Sequence, residues 1–261
     1  MRFRFQRHDP QPGRGSVCRA NRGTSRCLSW RLMAISLPPA AVFLLGALLA
    51  ALPAGAHHPG ADLDRVMGSK EQFFQAIDRP APPFELADAD GNIVRLSDFD
   101  DKIVVLNFIF ASCADVCPLH SALIAEVQEN INITPMKDMV QFITVTTDPG
   151  TDTPAVLKTY GDAHRLNPYN WVFLTSRPGQ PEDATRQLAE EYDIRFAPLD
   201  DGQQMHGVVT HVIDRGGRFA AKFHGLRFEP VNLVLYVNGL TNMPTDATEA
   251  GWWETLKELF R

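Results

Sequence analysis

The sequence predicts an α/β fold: a mixed central sheet flanked by helices and entered through an N-terminal β-hairpin. Three observations carry that prediction. A continuous apolar run at 103–110 has the form of a strand buried on both faces, which belongs in the middle of a covered sheet, and 140–146 reads as another buried strand. Segments of helical period separate the runs. A second hairpin, Val208–Asp214 (V-V-T-H-V-I-D) and Arg218–Phe223 (R-F-A-A-K-F) around the turn Arg215-Gly216-Gly217, returns late in the chain.

Taken in order, residues 57–83 are polar and Pro-bearing and read as a linker, with a short helix near 71–77. The body proper is expected over 84–240. Its first element is a hairpin, Phe84–Ala87 (F-E-L-A) and Ile93–Leu96 (I-V-R-L), turning at Asp90-Gly91. Strand 103–110 follows. Leu119, Leu123, Ile124, Val127 and Ile131 then recur at helical spacing, placing a helix over 116–130. After strand 140–146 comes the turn T-D-P-G-T-D-T-P, in which Asp152-Thr153-Pro154 caps a helix over 155–164. Strand 171–174, a polar-faced helix over 181–192, the second hairpin and a helix over 230–240 complete the body. Pairing that hairpin around its turn sets Phe223 opposite Val208 and His224 opposite Gly207. Residues 241–261 carry an amphipathic helix opened by Trp252-Trp253, read as packing against the body, with a membrane-interface role as the alternative. A strand feeding a Cys-bearing helix start, with a hairpin returning later, is the thioredoxin-like arrangement.

The first 56 residues have another character. They hold eight arginines, no lysine and a single acid, Asp9, followed by an apolar run over 32–56 that ends in Ala54-Gly55-Ala56. This is the pattern of a secretory signal peptide, with an uncleaved membrane anchor as the alternative. Either way the body is expected to be exported, to the periplasm or the outer face of the inner membrane. An Arg-rich leader also fits mitochondrial import, to the intermembrane space, which ranks lower. Met33 is an alternative start. The leader takes eight of the 25 basic and one of the 31 acidic residues, leaving a body with 17 against 30 and a formal charge near −13. Such a body is not expected to bind nucleic acid.

Cys18 and Cys27 lie in the leader, so the body has two cysteines, Cys113 and Cys117, four apart at a helix start. A bridge there would close a very short loop and stabilise little. Thiolate is favoured at the positive end of a helix, and thiolate is the form that binds soft metal or performs thiol exchange. Two thiolates rarely complete a site, and histidine is the natural third donor. His206 stands just before strand 208–214 and His224 at the same end of the hairpin; on spacing alone His206 leads narrowly. His211, inside that strand, faces away from His206 by the alternation of a regular strand. His120 neighbours Cys117 on the helix, while His57, His58 and His164 read as solvated.

Three blocks resemble the Sco/SenC family of copper-binding proteins, which help assemble the copper centre of cytochrome c oxidase: Phe108–Pro118 (F-I-F-A-S-C-A-D-V-C-P), Thr144–Pro154 (T-V-T-T-D-P-G-T-D-T-P) and His206–Arg218 (H-G-V-V-T-H-V-I-D-R-G-G-R). The resemblance covers roughly 80–240 and implies a thioredoxin-like fold. It also implies copper as the bound ion, as Cu(I) with Cu(II) as the second state, held by Cys113, Cys117 and His206 and passed to a copper-receiving protein such as an oxidase subunit. Asp115 and Asp148 fall on the family's supporting acids. Ala114 replaces the proline usual after the first cysteine, and Met205 and Gly207 replace an acid and a small hydroxyl residue around the histidine. The rival reading is an enzyme, a thiol-disulfide oxidoreductase that reduces a target's copper-site cysteines with Cys113 and Cys117 as its catalytic pair. Redox motifs of this fold usually space their cysteines by two residues rather than three.

Overall fold

The computed structural model describes residues 60–198 and 204–243. Its centre is an eight-stranded sheet in the order β1-β10-β9-β4-β5-β6-β2-β3. The three parallel strands are β4 (Ile103–Ile109), β5 (Val140–Thr146) and β6 (Trp171–Thr175). Every residue of β4 and β5 is buried, as their predominantly apolar character requires of strands covered on both faces, and the buried Thr144 hydroxyl donates to the Asn107 side chain at 2.8 Å. The hairpin β2 (Glu85–Asp88) and β3 (Ile93–Arg95) adds to β6, with Gly91 taking the positive φ its turn needs. On the other flank β9 (Val209–Asp214) runs antiparallel to β4 and β10 (Arg218–His224) antiparallel to β9.

Two cores follow from the alternation of β4. Ile103 and Val105 pack with Phe142, with Ile124, Val127 and Ile131 of α2 (Val116–Asn132), and with Leu233, Tyr236 and Val237 of α5 (Pro230–Thr241). Val104, Leu106 and Phe108 face the other way, onto Leu188 of α4 (Ala184–Glu191), Tyr192 and Phe219. Helices therefore cover both faces. α3 (Pro154–Ala163) is capped by Thr153, whose hydroxyl accepts from the Val156 N–H at 3.4 Å.

Residues 61–80 depart from the expected linker. They form α1 (Ala61–Lys70) and an edge strand, β1 (Phe74–Pro80), antiparallel to β10, where a short helix over 71–77 was expected. The reason is apolar burial: Met67 is 2% exposed, and the Phe74 ring meets Phe223 at 5.4 Å and Tyr236 at 5.0 Å. Glu71 ties the segment down by accepting from the Glu229 N–H and the Asn232 amide at the start of α5.

The second hairpin also differs in register. The observed pairs are Phe223 with Thr210 and His224 with Val209, two residues from expectation. The three-residue turn sets Asp214 opposite Arg218, and a bulge between Phe219 and Ala221 adds a further residue. Between α4 and β9 the chain makes a separate two-stranded ribbon, β7 (Phe196–Pro198) with β8 (Gln204–His206), which the sequence did not announce. No helix among the described residues is long and apolar enough to cross a membrane. The apolar leader and the amphipathic segment around Trp252 and Trp253 lie outside the described residues.

Candidate metal centre

β4 ends at Ile109, and the chain turns through Phe110–Asp115 into α2, with the Cys113 N–H donating to the Phe110 carbonyl at 3.1 Å. The first N–H groups of a helix have no partner within it. Asp115 occupies the N-cap position but its side chain makes no cap hydrogen bond; the Cys113 sulfur accepts the Cys117 N–H at 3.5 Å instead.

Both thiols are free, and their environments differ. Cys113 is partly exposed. Partial burial pushes its thiol up, but the N–H groups of Cys117, Asp115 and Val116 and the Cys117 thiol converge on its sulfur and outweigh burial, so its pKa lies below the ordinary thiol value. Cys117 is 2% exposed, packed with Ile109 and Tyr160. Burial, together with the nearby Cys113 and Asp152, pushes it up to about 12. The Tyr160 hydroxyl is itself 2.8 Å from Ser121 Oγ, one turn further along α2.

Asp152 is the residue sequence reasoning misjudged. It is 1% exposed and turns inward, leaving Thr153 to cap α3. Its Oδ2 accepts from the Ala111 N–H at 2.8 Å and from the Thr146 hydroxyl at 2.5 Å, joining the cysteine turn to the end of β5. The Thr147 N–H adds a 2.8 Å bond to the Ile109 carbonyl. Burial raises the Asp152 pKa, against those two hydrogen bonds. Asp148 is half-buried, its N–H donating to Thr146 Oγ1.

The histidines separate cleanly. His206 ends β8, as the register partner of Phe196, three residues before β9 begins. Because β9 is antiparallel to β4, with Thr210 opposite Asn107, the chain enters β9 at the sheet end where β4 delivers the cysteine turn. His120 is buried, its Nε2 2.8 Å from Thr210 Oγ1. His211 is fully buried between Phe108, Tyr192 and Phe219, its ring nitrogens against the carbonyls of Leu106 and Tyr192. His224 pairs with Gln75 of β1 at 2.8 Å. His164, half-buried rather than solvated, sits against Tyr160 with the rings tilted at 50°. Among the described residues no group of three or more His, Cys, Asp or Glu side chains converges as a metal cage. What they supply is a pair of free thiols at one helix start, one partly exposed and one buried.

A mixed sheet delivering two free thiols to a helix N-terminus, with a later hairpin beside them, defines a thioredoxin-fold dithiol protein. The family model described as SCO1/SenC matches residues 74–234, and the chain belongs to that family. It is 32% identical over 144 residues to an SCO2-like protein of Rickettsia prowazekii, covering 54% of this chain and 68% of that one. The SCO1 protein homolog of Bacillus subtilis is 24% identical over 165 residues, covering 63% and 84%. Among solved structures, a SCO1/SenC family lipoprotein of Bacillus anthracis shares the fold with a TM-score of 0.58 at 23% identity, covering 64% of this chain and 98% of that one. Bradyrhizobium japonicum ScoI, solved with copper bound, is 26% identical with a TM-score of 0.51, covering 62% and 99%. BsSco, at 20% identity and a TM-score of 0.56 over 65% and 98% of the two chains, is described as a member of a family of cytochrome c oxidase assembly proteins.

Proposed function

We propose that this chain is a copper chaperone that binds copper, chiefly as Cu(I), through Cys113, Cys117 and His206 and delivers it to a copper-receiving protein such as a subunit of cytochrome c oxidase. The observation that carries the reading is the thiol pair at the start of α2. Two soft sulfurs and one imidazole suit Cu(I), and three-coordination leaves a side open for a target's own cysteine, methionine or histidine. Transfer is then ligand exchange without bond-making catalysis. Copper in the Bradyrhizobium relative and the oxidase-assembly description of BsSco support the same assignment. Export to the periplasmic side, with residues 32–56 as signal or anchor, would bring the site to its target's compartment.

The test is anaerobic titration with Cu(I) of the reduced full chain carrying Cys18→Ser and Cys27→Ser, so that only the two site thiols remain. One copper per chain is expected, and Cys117→Ser or His206→Ala should each weaken binding by about tenfold or more. Unchanged affinity and stoichiometry in either variant would sink the ligand set. One observation favours the thiol-disulfide oxidoreductase as second reading: an accessible thiol of lowered pKa beside a buried one of raised pKa is the pairing of an attacking and a resolving cysteine. Catalytic reduction of a model disulfide by the metal-free His206→Ala variant would select it, because a dithiol reductant has no use for that histidine.

A further inference from the structure

A ribbon of two three-residue strands has little stability of its own, yet a metal ligand must be held to within a fraction of an ångström. β7 and β8 are such a ribbon, and β8 ends in His206. The three residues that lead toward it from α4, Glu191, Tyr192 and Asp193, are gripped from three adjacent strands. From β1, Arg79 Nη2 donates to the Glu191 carbonyl at 3.2 Å and to Asp193 Oδ2 at 2.9 Å. From β10, Lys222 Nζ donates to the same Asp193 oxygen at 2.5 Å. From β9, His211 Nε2 lies 3.0 Å from the Tyr192 carbonyl, and the Tyr192 hydroxyl donates to the Pro82 carbonyl at 2.8 Å.

Lys222 is 5% exposed, an expensive place for an ammonium. Both cations also lie over the Phe219 ring, Arg79 at 5.1 Å and Lys222 at 5.5 Å. Asp193 itself holds a left-handed φ of 65°, a conformation that glycine, asparagine and aspartate adopt more readily than other residues. Three residues on, Phe196 sits against the second core with the Arg186 guanidinium 4.6 Å over its ring, and Phe196 is the register partner of His206.

We propose that Asp193, clamped by Arg79 and Lys222, is a positioning residue for His206: the clamp fixes where β7 leaves the body, Phe196 carries that position across the ribbon, and β8 inherits it. The inference rests on His206 being a copper ligand, and its test separates the two ideas. In the Cys18→Ser, Cys27→Ser background, Asp193→Asn removes the carboxylate charge while keeping a residue that tolerates the left-handed backbone. Lys222→Met removes the buried cation at similar volume and serves as a second probe should the first variant fold poorly. Each should lower Cu(I) affinity about tenfold, in the range usual for groups that orient a ligand. In the His206→Ala background neither variant should lower affinity further, the Cu(II) form of each should lose its imidazole nitrogen hyperfine signal, and Cys113 should alkylate at the parental rate. Losses that add to that of His206→Ala, or a retained imidazole signal, overturn the clamp alone. Parental affinity in His206→Ala by itself overturns the ligand assignment, and the clamp's role falls with it.

Discussion

The two thiols share one helix start, yet deep burial of one and hydrogen bonds to the other should make them chemically unlike. Burial pushes Cys117 up to about 12, so near neutral pH its thiolate fraction lies orders of magnitude below that of an exposed thiol. Cys113 lies below the ordinary thiol value, because four hydrogen bonds at the start of α2 outweigh its partial burial. Thiolate is the alkylating species, so Cys117→Ser, which keeps the exposed Cys113, should react with iodoacetamide about tenfold or more faster at neutral pH than Cys113→Ser, in which burial still holds Cys117 up although Cys113's own share of the shift is gone. Steric exclusion of the reagent widens the gap.

The assay is the rate against pH in each variant, with a urea-unfolded control in which the two thiols should react alike. Cys113 should titrate below the unfolded midpoint and Cys117 well above it. Comparable native rates, or a Cys113 midpoint at or above that of the unfolded chain, would refute the account of sulfur as the acceptor at the head of α2.

Other expectations follow from the same contacts. If copper is held as proposed, binding displaces the protons of both thiols, so apparent Cu(I) affinity should rise about 100-fold per pH unit between pH 6 and 7, measured by competition with a chromophoric chelator; a flat profile would contradict dithiolate ligation. Asp152→Ala strips acceptors from the Ala111 N–H and the Thr146 hydroxyl and should cost about 1–3 kcal/mol in denaturant titration, with Asp152→Asn losing less. Glu71→Ala should cost a similar about 1–3 kcal/mol, because three donors lose their acceptor. Burial raises the Glu71 pKa, but the bonds from Asn232, Glu229 and Phe73 bring it below 4.5, so its stabilisation is present above that pH and fades as pH falls through the folded value; acid unfolding of Glu71→Ala should lack that component. Gly161→Ala should lower the melting temperature, since the new methyl would meet the Phe173 ring at 2.8 Å, whereas Gly239→Ala meets only the flexible tip of Leu63 at 2.7 Å and gains helix propensity, so it should be the milder of the two.

What the sequence showed plainly was local. The β4 run, the two cysteines and the helical period after them sit within thirty residues, and their burial and spacing fix strand, turn and helix together. Long-range partners stayed hidden. Asp152 reads as a cap in D-T-P because its carboxylate's true partner, the Ala111 N–H, is 41 residues away. The bulge that moves the second hairpin by a residue leaves no mark in a run of small and apolar side chains. β1 reads as linker because an edge strand with no fully buried residue, closed by Pro80, lacks the apolar run that announces β4, while its partner β10 lies about 140 residues on. That hidden strand bears directly on the metal question. Spacing left His206 and His224 nearly equal as third donors, and only family resemblance chose between them. β10 is separated from β4 by β9, and Gln75 of β1 takes the His224 imidazole at the outer edge of the sheet. His206 instead ends β8, three residues before β9, the strand that lies directly against β4, and the chain enters β9 at the end where β4 delivers the turn of Cys113 and Cys117.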